Sequence, residues 1–199
     1  KTPLSVLANA ASRPGPRLPQ LVAEQVATAQ HQVDYHLARA RTAGSTGIPG
    51  MRSPVRPVIE SLISVMDHLY RDKDVSATLA IEDREPVFWG EQQDLQEMLG
   101  NLLENAWKWA NSRIDISCHS DSKTLTVMVD DDGPGLAKEL RQAMLARGVR
   151  ADERVAGTGL GLAIVSDLVE LYGGTLDIKS SLRGGLRVRL TLPSTAAQQ

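Results

Sequence analysis

The 199-residue chain has one cysteine, Cys118, and therefore no possibility of an internal disulfide. Cys118 closes the alternating run Ile114, Ile116, Cys118, which predicts a buried thiol rather than a reactive one and fits a reducing compartment. No apolar run approaches the roughly 20 residues needed to span a bilayer, and no signal peptide opens the chain, so this stretch reads as soluble. Charge of one sign is not in excess either. The formal net charge is -2 with both signs interspersed, which gives no basic surface for nucleic acid or for an anionic membrane. Internal repeats and low-complexity tracts are absent. The four histidines, His31, His36, His68 and His119, have no cysteine or carboxylate partner at metal-ligand spacing and read as structural. An initiator methionine is also lacking. A start at Lys1-Thr2-Pro3 suggests part of a longer protein, so the missing membrane segment says nothing about the parent.

What is present falls into two unlike parts. Residues 1–43 carry Leu4, Leu7 and Ala11, then Arg13-Pro14-Gly15-Pro16, then Val22, Val26, Ala29, Val33, His36 and Ala40 at alternating spacings of four and three. That alternation is a packed helical seam, and the proline-glycine turn ends the first helix and forces a short connection. The expected unit is a two-helix hairpin, half of a four-helix bundle. Its second face requires another pair, most simply from an identical chain, which makes a homodimer through the hairpin. Residues 44–51, rich in Gly, Ser, Thr and Pro, read as a linker.

Residues 52–195 are expected to form a second domain, with 196–199 as a tail. Val58, Ile59, Leu62, Ile63, Met66 and Leu69 recur at helical spacing, whereas Val75, Ala77, Leu79 and Ile81 alternate as in a strand. A helix is predicted over 91–110, with Leu95, Leu99, Leu102 and Ala106 along one face. Strands are predicted over 113–119 and 124–130, helices over 138–145 and 162–172, and a terminal hairpin over 175–192 turning at Gly184-Gly185. The fold class is thus α+β: the hairpin, followed by an α/β sandwich with three helices on one side of the strands. Phe88 and Trp89 are assigned to its core.

Three elements of this second domain bear chemistry. On the helix over 91–110, Asn101, Asn105, Lys108 and Trp109 share an arc of about 100° on the side away from the leucines. Amide oxygens are hard neutral ligands suited to Mg2+, and a lysine one turn on can hold a phosphate, although a plain solvated face shows the same spacing. Asp130-Asp131-Asp132-Gly133-Pro134-Gly135 ends an apolar strand, where a carboxylate projects from a rigid edge and glycines let a ligand approach; a simple turn is the bland alternative. Gly157-Thr158-Gly159-Leu160-Gly161-Leu162 opens a helix whose N-terminal amides can receive phosphate. Without a preceding buried strand, this glycine run does not make a dinucleotide fingerprint.

Taken in order, Asn-x-x-x-Asn-x-x-Lys, Asp-x-Gly-x-Gly and Gly-x-Gly-x-Gly resemble the ATP-binding domain of histidine kinases, within the gyrase, mismatch-repair and heat-shock-chaperone ATPase superfamily. The resemblance implies ATP and Mg2+ as cofactors. It implies Asn105 as the Mg2+ ligand with Asn101 beside it, Lys108 near the phosphates and Trp109 packed on adenine. It makes Asp131 the acceptor of the adenine amino group, with Gly133 and Gly135 shaping the purine pocket and residues Gly157, Thr158, Gly159, Leu160 and Gly161 closing around the phosphates. Leu145-Ala146-Arg147-Gly148 resembles the family's short box before the ATP lid, with leucine in place of its phenylalanine. Arg147 and Arg150, or Arg154, are then expected near the phosphates.

Further consequences follow from the same resemblance. Hydrolysing members of the superfamily carry a glutamate where this chain has Asn101, and an amide cannot take a proton from water, which favours phosphoryl transfer over hydrolysis. Lys1-Thr2-Pro3-Leu4 is similar to the second half of the family's His-Glu/Asp-Leu-Lys-Thr-Pro-Leu box, so the acceptor histidine is expected three residues before Lys1. Thr2 then stands where relatives orient water to dephosphorylate a partner. The implied partner is the receiver domain of a response regulator. The implied parent is a bacterial inner-membrane sensor with this region cytoplasmic. Three rivals remain: an ATP-driven conformational ATPase, a nucleotide-free dimerising scaffold, and a serine kinase of the anti-sigma-factor type, which would lack the helical hairpin.

Overall fold

The computed structural model of the chain describes residues 52–81, 85–143 and 161–194, together with positions 6, 18, 19, 21, 22, 25, 26, 29 and 33. The last group is helical, and Val22, Val26 and Val33 in it are exposed. The turn at residues 13–16 and the linker 44–51 lie outside the described residues.

From residue 53 the elements run β1 (Ser53–Pro54), α1 (Val55–Leu69), β2 (Ser76–Ile81), β3 (Val87–Phe88), α2 (Gln92–Trp109), β4 (Arg113–Ser120), β5 (Thr124–Asp131), α3 (Lys138–Ala143), α4 (Gly161–Leu171), β6 (Thr175–Ser180) and β7 (Leu186–Pro193). Five strands form one mixed sheet in the order β2-β4-β5-β7-β6, parallel only between β2 and β4. This is the α+β sandwich expected from the alternation of helical and strand periods.

The strand period of two places Leu125, Val127 and Val129 of β5, with Val188, Leu190 and Leu192 of β7, on one buried face. Against that face lie α2, with Leu95, Leu99, Leu102 and Ala106 all buried, and α4, with Val165 and Leu168; α1 packs on α2 in turn. Trp107 is the largest of the side chains that are almost wholly buried. Truncating a leucine in this layer costs about 2–5 kcal/mol, because the cavity collapses only in part. The opposite face of the sheet carries charge. Asp115 and Asp130 stand directly across β4 and β5 from one another, a repulsive placement relieved by arginines: Arg113 and Arg183 pair with Asp115, and Arg187 with Asp130.

Two features lay below the reach of sequence periodicity. β1 and β3, two residues each, pair antiparallel as Ser53 with Phe88 and Pro54 with Val87. At the end of β3 two neighbouring aromatics part ways. Phe88 enters the core, whereas Trp89 is half-buried beneath the Arg52 guanidinium, 5.0 Å from its ring centroid. The expected core position holds for Phe88 and fails for Trp89. The second feature concerns the end of α2, whose orphan carbonyls at Trp107 and Lys108 accept bonds from Lys73 Nζ at 3.1 and 2.6 Å. A lysine there also complements the negative end of the helix, and it fixes the turn that carries Lys108 and Trp109.

Candidate functional site

The strand end at 130–132 gives three consecutive aspartates three different surroundings. Asp130, on the charged face, accepts both its bonds from Arg187 Nε, at 2.8 and 3.0 Å. Asp131 points the other way and is 5% exposed. Its Oδ1 accepts the backbone N–H groups of Gly133 at 2.8 Å and Leu186 at 3.1 Å; its Oδ2 has no hydrogen-bond partner among the described residues. Burial raises the carboxyl above its ordinary range more strongly than the two amides lower it, and the charges of Asp132 and Asp130 add to the rise. Asp132 turns back onto the loop after α2, where it accepts from Asn111 N–H at 2.8 Å, Ser112 N–H at 3.1 Å and Ser112 Oγ at 2.7 Å. Partial desolvation pushes this carboxyl up, but the bonds from Ser112, Arg113 and Asn111 outweigh it and bring the pKa down to about 2.

Glycines let backbone close around Asp131. A Cβ on Gly133 would run into the Trp109 carbonyl, so the end of α2 abuts the turn after β5. Gly135 has φ 68°, where a side chain is strained, and lies against the Gly184 carbonyl. A Cβ on Gly185 would strike the Asp131 carboxylate itself. The β6–β7 turn is thus a wall of the site. Sequence reading missed the part played by Gly185 and Leu186, since their only signal was a glycine pair that also makes an ordinary hairpin turn.

On α2, Asn101, Asn105, Lys108 and Trp109 are all half-buried along the flank of the leucine stripe. Asn101 Nδ2 donates to the Glu97 carbonyl at 2.8 Å, which leaves Oδ1 toward the first residue of α4: a Cβ on Gly161 would stand 2.8 Å from it. Lys108 Nζ sits 5.9 Å from the ring centroid of Trp109, within cation–π reach. The structure therefore brings Asn101 to Gly161, and Trp109 to Gly133 and Asp131. Thr2, Arg147, Arg150, Gly157, Thr158, Gly159 and Leu160, with Arg154, lie outside the described residues.

Among the described residues no group of three or more His, Cys, Asp or Glu side chains is placed to hold a metal ion, and no helix is long and apolar enough to cross a membrane. The hard oxygen donors on the polar face of α2 are the amides of Asn101 and Asn105. Such a pair fits Mg2+, which takes few protein ligands and completes its octahedron with water and phosphate oxygens.

Comparison with known proteins gives the family. The family model for histidine kinase-, DNA gyrase B-, and HSP90-like ATPases matches residues 90–196, more than half of the chain. The chain is 38% identical over 197 residues to the sensor protein kinase CarS of Pseudomonas aeruginosa, a match that covers 97% of this chain and 44% of that protein. To the sensor protein PhoQ of Escherichia coli K12 it is 35% identical over 167 residues, covering 84% of this chain and 34% of that one. The chain thus spans less than half the length of either relative. In fold it is similar to full-length ShkA solved with AMPPNP, at a TM-score of 0.66 and 24% identity, over 90% of this chain and 39% of that one. The chain belongs to the histidine kinase-, DNA gyrase B- and HSP90-like ATPase family and, within it, is a sensor histidine kinase catalytic domain.

Proposed function

We propose that this chain binds Mg-ATP between the Asp131 turn and the polar face of α2, and that the whole protein passes the γ-phosphate to a histidine upstream of Lys1 and then to an aspartate of a response-regulator receiver domain. The observation that carries the reading is the Asp131 carboxylate. Two backbone amides hold Oδ1, while Oδ2 is buried without a described partner, and a buried acceptor with a spare lone pair costs free energy until a donor meets it. An exocyclic amino group on a purine is such a donor. Gly133 and Gly135 keep the turn thin enough for a flat ring, and Trp109 supplies an aromatic edge beside it.

The phosphates then lie toward Lys108 and the N-terminus of α4, with Gly157, Thr158, Gly159, Leu160, Gly161, Arg147 and Arg150 around them. Asn105 and Asn101 offer amide oxygens to Mg2+, which when bound neutralises phosphate charge. Asn101 also holds the place of a water-activating base without being able to accept a proton, which supports transfer over hydrolysis. In the whole protein the helical hairpin is the dimer contact, Thr2 has a part in dephosphorylating the receiver domain, and the parent sits in the bacterial inner membrane with this region cytoplasmic.

Calorimetric titration with Mg-ADP and a non-hydrolysable ATP analogue tests the site. Wild type is expected to bind both in the micromolar range. Asp131→Asn, which replaces the acceptor by a donor, is expected to weaken binding by about 100-fold, the scale of a charge-assisted hydrogen bond. Failure of wild type to bind either nucleotide would sink the assignment. The 199-residue chain is further expected to incorporate no label from γ-labelled ATP, and incorporation would place the acceptor within residues 1–199.

A further inference from the structure

One buried cluster takes no part in that reading. Tyr172 directly follows α4, at the end of the helix opposite Gly161. Its hydroxyl donates to Asp94 Oδ2 at 2.6 Å and accepts the Glu91 N–H at 3.4 Å, and its ring meets Phe88 edge-on with centroids 4.8 Å apart. Asp94 is 3% exposed and lies in the first turn of α2, where a carboxylate complements the positive end of the helix. Burial, with the bond and charge of Asp94, pushes the Tyr172 hydroxyl up, so it remains a donor at neutral pH. Gly90 fits beneath: a Cβ there would collide with the rings of both Phe88 and Tyr172. Its carbonyl accepts Ser53 Oγ at 2.9 Å, which ties β1 to the same spot.

The placement of this cluster is what gives it a consequence. Helices α2 and α4 pack along one another and meet at two points of note: a close approach of the Asn101 amide oxygen to Gly161 at one, the hydrogen bond of Tyr172 to Asp94 at the other. The points lie about two turns apart on α2 and about three on α4. An apolar helix interface alone resists separation better than sliding, because dispersion and burial are non-directional. A short hydrogen bond to a buried carboxylate is directional and fixes the slide.

We propose that Tyr172 is a positioning residue for phosphate binding. By holding the C-terminal end of α4 on Asp94, it sets where Gly161 and the amides at the helix start stand relative to Asn101 and Lys108. The inference rests on the proposed site and gives its phosphate end a support about 16 Å away, the length of an 11-residue helix. The base end does not depend on this support, since Asp131 is held by Gly133 and Leu186 through bonds of their own.

Titration of Mg-ADP and of adenosine into wild type, Tyr172→Phe, Asp94→Ala and the double variant separates the two ends. Tyr172→Phe keeps the ring on Phe88 and removes only the hydroxyl. It is expected to weaken Mg-ADP about five- to tenfold, the scale of one hydrogen bond, while adenosine stays within about twofold. Asp94→Ala should lose at least as much, since the carboxylate also complements the start of α2, and adding Tyr172→Phe to it should cost little more, because the bond from the hydroxyl is already gone. Asp94→Asn, which keeps an acceptor for the hydroxyl, should restore most of the Mg-ADP affinity. Equal losses for Mg-ADP and adenosine would mean general loosening and would overturn the proposal, as would an unchanged Mg-ADP affinity in Tyr172→Phe. Failure of wild type to bind either ligand is a different result and would remove the site together with its support.

Discussion

The two ends of the proposed nucleotide site are built from different materials. At the base end the working groups are one carboxylate and two backbone amides, placed by the end of β5, which sits between β4 and β7 in the sheet. At the phosphate end they are side chains along one helix face, Asn101, Asn105 and Lys108, half-buried and set by rotamers. Backbone in a paired strand cannot yield without breaking its ladder, whereas a lysine on a four-carbon stem can follow its ligand. A rigid end suits a planar base of fixed shape. An adaptable end suits a phosphate chain that shortens by one group when the γ-phosphate leaves.

The sharpest way to break this contrast is at Asp131, where binding and stability pull in opposite directions. Its carboxyl is raised in the fold, mainly by burial. Below the ordinary carboxylate pKa both folded and unfolded chains are protonated, and the group contributes nothing. As pH rises the unfolded chain ionises first, so the folded state loses stability up to the raised pKa and carries the full penalty above it. Asp131→Asn keeps an oxygen for Gly133 and Leu186 without burying a charge. The variant that loses about 100-fold in Mg-ADP affinity is therefore expected to melt higher than wild type at pH 7 when nucleotide is absent. That gain should vanish below about pH 3.8. Thermal melts at the two pH values decide it, and a lower melting temperature at pH 7 would mean that the buried charge stabilises the fold.

A second contrast uses two glycines. At Gly185 a Cβ would meet the Asp131 carboxylate and the backbone of the following turn, none of which can move cheaply. Gly185→Ala is expected to cost about 1–3 kcal/mol of stability, the usual penalty of overpacking, and to weaken Mg-ADP and adenosine alike. At Gly161 the nearest atom to a Cβ among the described residues is the Asn101 amide oxygen, at 2.8 Å, the far end of a side chain. Gly161 is the first residue of α4, where alanine gains at most a part of the roughly 1 kcal/mol by which a helix interior favours it over glycine. Gly161→Ala should hence leave stability nearly unchanged and weaken Mg-ADP but not adenosine. Denaturant midpoints and paired titrations of the two variants read both parts of the difference. If Gly161→Ala proved the more destabilising, the phosphate end would be the rigid one.

The same division explains what could be read from the sequence. Every long element announced itself by period: the leucines of α2 at helical spacing, and Leu125, Val127 and Val129 at strand spacing. The glycine-rich motifs marked Asp131, Gly133 and Gly135, because only glycine tolerates the close approach to Trp109 and the positive φ. What remained hidden was contributed by residues distant in sequence and ordinary in type. Leu186 matters through its N–H, Gly185 through its lack of a Cβ, Lys73 through two carbonyls on another element, and Tyr172 through a carboxylate 78 positions away. None of these has a local pattern, since a backbone donor can be any residue but proline. Trp89 failed as a core residue for the opposite reason. Its composition was right, but it follows a two-residue strand that ends at Phe88, and its ring lies under Arg52 instead.

The smallest expected effect belongs to Asp132, which borders the base end, touching Asp131 only through its charge, and anchors the loop between α2 and β4. Its pKa of about 2 lies below the ordinary 3.8 because bonds from Ser112, Arg113 and Asn111 exceed its slight desolvation. Here the sign is the reverse of that at Asp131. The carboxylate's contribution is fully present above pH 3.8, shrinks as pH falls and is gone once the folded group protonates near pH 2. The residue is half-buried and its carboxylate only slightly desolvated, so water still screens it and keeps the contribution modest. Asp132→Asn should lower the urea midpoint slightly at pH 7, and the gap between variant and wild type should close between pH 4 and about 2. Binding of Mg-ADP should change little at pH 7, because the loop's attachment to β5 also includes the backbone bond from Asp132 N–H to the Arg113 carbonyl. A large loss of binding in Asp132→Asn would show that the loop at Asn111 and Ser112 is part of the base end, and the division between a rigid strand end and an adaptable helix face would have to be redrawn around it.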